Sequence, residues 1–73
     1  MKMIKREVLE RLKEKYPVGA TVELEIMNDV QAPPVGTKGV VRFVDDAGTI
    51  HVAWSNGSSL GVVFGEDSCR VIE

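Results

Sequence analysis

Apolar residues at Ile4, Val8, Leu12 and Tyr16 recur every four positions, with Leu9 beside them, and predict an amphipathic helix over residues 3–15. Glu7 and Arg11 stand at i,i+4 in the favourable order. Pro17 ends the helix, because the residue before proline avoids helical dihedrals, and Gly19 follows as a turn residue. Beyond it the period changes. In Thr21 to Ile26, Val22, Leu24 and Ile26 point one way and Glu23 and Glu25 the other, the pattern of a half-buried strand. A second strand, Val40 to Val44, breaks strict alternation, the pattern of a bulge or of a strand buried at both ends. Asp46-Ala47-Gly48 reads as a hairpin loop. In the third strand Ile50, Val52 and Trp54 face inward, and His51, Ala53 and Ser55 outward. Asn56-Gly57 predicts a type I′ turn, which needs positive φ twice. Ser59 to Phe64 is the fourth strand, with Leu60, Val62 and Phe64 on one face. After a turn over residues 65–68, Cys69 to Ile72 forms the fifth.

The expected fold class is mostly β, α+β by content: a helix over residues 1–16, then a small five-stranded antiparallel barrel over 17–73, together one domain. Closing the barrel removes strand edges that invite aggregation. A chain of 73 residues has one small core, with a stability margin of about 3–5 kcal/mol. It leaves little concave space for a metabolite. The one cysteine, Cys69, forms no internal disulfide, and the charged first fifteen residues lack the apolar stretch of a secretory leader. A cytoplasmic protein is expected.

Charge is divided along the chain. Residues 1–15 carry six basic and three acidic groups, and residues 16–73 carry three basic and eight acidic ones, for a net charge of −2. An acidic barrel repels phosphate backbones.

Several chemistries are poorly served. One His and one Cys, on different strands, do not make a metal site. His51 has no nucleophile elbow or oxyanion loop in the sequence and reads as an outward strand residue. Asp45-Asp46 and Glu66-Asp67 fall in turns, where aspartate bonds local backbone. Gly36-x-x-Gly39 lacks the lysine and hydroxyl of a phosphate loop and opens no helix. No enzyme activity and no cofactor are expected.

Met27–Gly36, with Pro33 and Pro34, is the strongest binding candidate, because long ordered loops on small β frames carry contact surfaces. Met27, Asn28, Asp29, Pro33 and Pro34, with Asn56 and Gly57 of the neighbouring turn, form the expected partner surface. Trp54 reads first as core and second as an anchor that shows one edge. With four aromatics in the chain, a proline-rich peptide groove is not expected.

Tyr16-Pro17-x-Gly19, Val22-Glu23-Leu24, Ala32-Pro33-Pro34-x-Gly36-Thr37-x-Gly39, Val44-Asp45-Asp46-x-Gly48, Ile50-x-Val52-x-Trp54, Asn56-Gly57-Ser58-Ser59-Leu60 and Gly65-Glu66-Asp67 run through most of the chain. In these motifs the chain resembles a bacterial domain-of-unknown-function family, the 4314 group, whose members look like products of phages and conjugative elements. The resemblance implies no activity. The order Gly36-Thr37-x-Gly39-x-Val41, then Val52-x-Trp54-x-Asn56-Gly57, is similar to SH3-like barrels of the KOW and Mib/HERC2 kinds, an analogy of fold alone.

The first functional reading is a protein-interaction module of a phage or mobile element. The alternative is a nucleic-acid-binding accessory protein with Lys2, Lys5, Arg6, Arg11, Lys13 and Lys15 on phosphates. The third is a purely structural module, a monomer or weak homodimer paired through the helix stripe.

Overall fold

A computed structural model describes residues 4–73, so Lys2 and the start of the expected helix lie outside the described residues. The order is α1 (Arg6–Lys15), β1 (Thr21–Ile26), β2 (Lys38–Val44), β3 (Thr49–Trp54), β4 (Val62–Val63) and β5 (Ser68–Val71). The helix starts later than its periodicity predicts because Lys5 is extended (φ −68°, ψ 146°) and provides no capping side chain. Glu7 in the first turn and Lys13 and Lys15 in the last complement the helix dipole. Before Pro17, the Tyr16 N–H donates to Leu12 O at 3.0 Å and closes the last turn. No helix among the described residues is long and apolar enough to cross a membrane.

The five strands form one antiparallel sheet in the order β4-β3-β2-β1-β5. Its inner face supplies Val22, Leu24, Val41, Ile50, Val52, Trp54, Val62 and Cys69, and α1 and its end add Leu12 and Tyr16. Along the helix stripe Leu12 and Tyr16 are buried, Ile4 packs partly against the core and Val8 is half-buried.

Two bulges reset which residues face the core. The register of β2 on β3 shifts between Val41 and Phe43, so of the two readings of the broken alternation the bulge is the one that holds, and Phe43 turns to the surface. A second shift, between Leu24 and Ile26 in β1, was not expected. It turns Ile26 outward (61% exposed) and corrects its place in the inward row. The Asn56-Gly57 turn also differs from expectation. Among the described residues only glycines have positive φ, so Asn56 does not complete a type I′ pair. Gly57 alone enters the left-handed region (φ 89°), its N–H donates to Trp54 O, and the Asn56 side chain accepts the Ser58 N–H at 3.0 Å. One positive φ on a glycine avoids the steric cost a second would impose on asparagine.

The barrel does not close. The fourth strand shrinks from the expected 59–64 to Val62–Val63, and β4 and β5 are the outer strands of an open sheet. The physical reason lies in side chains that meet the edge groups first. Trp54 Nε1–H donates to Leu60 O at 2.8 Å and draws that segment out of the ladder. Asp67 Oδ2 accepts the Val63 N–H at 3.0 Å, and Tyr16 Oη–H donates to Cys69 O at 2.9 Å. Edge groups bonded in this way are not available to a closing strand. The helix packs on the inner face of the sheet, where it meets β2, and leaves a groove toward β4 and β5.

Gly39 sits where β1, β2 and β3 are tightest: an added Cβ would lie 2.5 Å from Val52 Cγ1 and 2.9 Å from the Ala53 carbonyl oxygen. Gly39→Ala is expected to lower stability by about 1–3 kcal/mol. An unchanged urea midpoint would refute this packing argument. Burial pushes the Cys69 thiol up to about 11, with Glu25 adding to the shift. At neutral pH a maleimide should modify the folded protein at least about a hundredfold more slowly than the urea-unfolded chain, in line with a margin near 3 kcal/mol. Equal rates would show that the thiol is open.

Candidate partner-binding surface

The Met27–Gly36 loop is fixed at both ends by main-chain bonds. Leu24 N–H donates to Thr37 O and Gly36 N–H to Leu24 O, both at 2.8 Å. Within the loop, Asp29 Oδ1 accepts the Gln31 N–H at 2.7 Å, and the Ala32 N–H donates to Asp29 O. Thr37 donates to Pro34 O through both N–H (3.0 Å) and Oγ1–H (2.6 Å). From beside β5, the strand next to β1, Asp67 Oδ1 accepts the Asn28 N–H at 3.1 Å. The Asn56-Gly57 turn stands at the same end, because Gly39 pairs with Trp54 and Ser55 N–H donates to Lys38 O at 2.8 Å.

The expected surface residues separate by burial. Asn28, Asp29, Pro34, Asn56 and Gly57 are exposed at this end. Met27 packs partly against the core and Pro33 is buried, so these two anchor the loop from below. Trp54 is 3% exposed with its N–H bonded to Leu60 O, which corrects its inclusion in a contact surface. The residues missed are apolar: Val30 and Val35 in the loop, 103% and 73% exposed, and Ile26 at its entrance. Val30 and Val35 flank the two prolines and were legible as unpatterned apolar positions. Ile26 was not, because only the bulge turns it outward.

The cations of the alternative reading are exposed but partly engaged. Lys13 pairs with Asp46 at 3.0 Å and Arg6 with Glu10 at 3.4 Å. Lys5, Arg11 and Lys15 form no salt bridge among the described residues.

A polar cluster lies at the opposite end of the sheet. Asp45 Oδ1 accepts the Ala47 and Thr49 N–H groups at 3.0 and 2.9 Å. Its Oδ2 accepts from His51 Nε2 at 2.8 Å, and the His51 ring stacks on Phe43 with centroids 4.2 Å apart. The His51 bond, then the backbone donors, hold the Asp45 carboxyl below the usual carboxylate range. No serine or cysteine bonds the other imidazole nitrogen among the described residues, and the pair clamps the hairpin. A carboxyl lowered in the folded state stabilises above its unfolded pKa, and that contribution is lost as pH falls through the folded value. The wild-type urea midpoint should therefore fall as pH drops below about 4, and Asp45→Asn should remove part of that slope. Parallel acid limbs for the two proteins would dismiss the clamp.

No curated protein and no solved structure matches the chain. Residues 5–72, by contrast, match a family described as a domain of unknown function, DUF4314. With the match running from the helix through the last strand, the chain belongs to the DUF4314 family.

Proposed function

We propose that this domain is a non-enzymatic protein-interaction module of a phage or mobile element, working in the cytoplasm from the loop end of its sheet. The observation that carries the reading is the exposure of Ile26, Val30 and Val35 on a loop whose backbone is held at both ends. Apolar side chains in water on a mobile tail signify little. On a pinned loop they are presented in one arrangement, which lowers the ordering cost of binding. Glu25 and Asp29 border the patch. The partner surface that fits is apolar with basic groups around it. Five short antiparallel strands, a long first loop and short hairpins support an SH3-like frame, opened at one seam.

The test replaces Val30 and Val35 together by aspartate and compares capture of partners from nuclease-treated host lysate. The variant should keep its unfolding free energy within about 0.5 kcal/mol of wild type, as exposed substitutions do, and should lose the protein that wild type retains. Retention by both sinks the loop as the contact surface. Capture by wild type that disappears on nuclease treatment would instead assign the function to the helix cations.

A further inference from the structure

The unclosed seam between β4 and β5 leaves a groove of about 370 Å³ beneath one flank of α1. Its floor is apolar: Leu12, Ile50, Val62 and Cys69 are buried there, and half-buried Val8 stands above them. On the far rim Phe64 is 51% exposed. The near rim is cationic. Arg11 and Lys15 line it one helical turn apart, and neither is in a salt bridge among the described residues, unlike Arg6 and Lys13. The one carboxylate on the lining, Asp67, has both oxygens bonded to main-chain N–H groups. The groove therefore pairs an apolar trough with two cations along one side, Arg11 and Lys15, the second with its Nζ 5.5 Å from the centre of the Tyr16 ring.

We propose that this groove binds a small amphipathic anion, an unbranched apolar chain ending in a carboxylate. Dimensions and charge select it. From Val8 to Tyr16 the helix wall runs about 12 Å at 1.5 Å per residue, the length of a medium acyl chain. A partner helix, about 10–12 Å across with its side chains, is too wide for a trough of this volume. A neutral chain gains nothing from the exposed Arg11 and Lys15, and a cationic one is repelled by them. The site is separate from the loop surface, and the inference does not rest on the function proposed for that loop.

The probe is decanoate, kept below its micelle concentration and titrated into the full chain, read by amide and methyl NMR shifts. Saturable shifts centred on Val8, Leu12, Val62 and Phe64 are expected. Octanoate, two methylenes shorter, should bind about fifteenfold more weakly, at roughly fourfold per methylene. Arg11→Gln with Lys15→Gln keeps good helix formers on an exposed face and should weaken decanoate at least tenfold, with the urea midpoint only slightly lowered by the lost helix-dipole and i,i+4 contributions. Decyltrimethylammonium, the cationic counterpart, serves as a control that needs no mutation and should bind at least tenfold more weakly than decanoate. Absence of saturation at millimolar decanoate, shifts confined to the Met27–Gly36 loop, or equal binding of the anionic and cationic chains would each overturn the proposal.

Discussion

Asp67 ties the end of the β1–β5 pairing to β4, a strand that pairs only with β3. One carboxylate oxygen accepts the Asn28 N–H at the start of the long loop, and the other accepts the Val63 N–H on β4. Through it the loop, the shortest strand and the turn before β5 hold one another in place. Charge-assisted bonds of this kind are stronger than neutral ones, and loss of the acceptor would strand two backbone donors. The open sheet, the pinned loop and the groove along the seam all depend on that arrangement, with Tyr16 performing the same service for β5 through Cys69 O.

An open five-stranded sheet in so short a chain has little with which to cover its inner face. The helix completes the enclosure, with Leu12 and Tyr16 buried against the sheet. The cover is incomplete over the seam, where Val8 and Phe64 remain partly in water. A tight point of the sheet lies at its centre, at Gly39 on β2, where a Cβ would run into Val52 and Trp54 of β3. Close packing at the centre and looseness at the seam give the domain a rigid frame with two surfaces at its margins. They differ in chemistry: the loop end is apolar with an acidic border, and the groove is apolar with a basic one.

Local pattern alone determined much of this protein. The four-residue period placed the helix, the two-residue period placed β1 and β3 with Val22, Leu24, Ile50, Val52 and Trp54 inward, and broken alternation marked the bulge in β2. These features depend on residues close in sequence, so sequence carries them. The loop was legible for the same reason, from its prolines and its length. What tertiary structure decided was the fate of groups that meet across the chain. Whether the sheet closes depends on Asp67, Tyr16 and Trp54 reaching edge groups before another strand does. Whether Ile26 faces in or out depends on how β1 registers against β5. Whether Arg11 and Lys15 stand over an apolar trough depends on where the helix comes to rest. Each outcome is a competition between partners far apart in the sequence, and such competitions are settled only when the chain has folded.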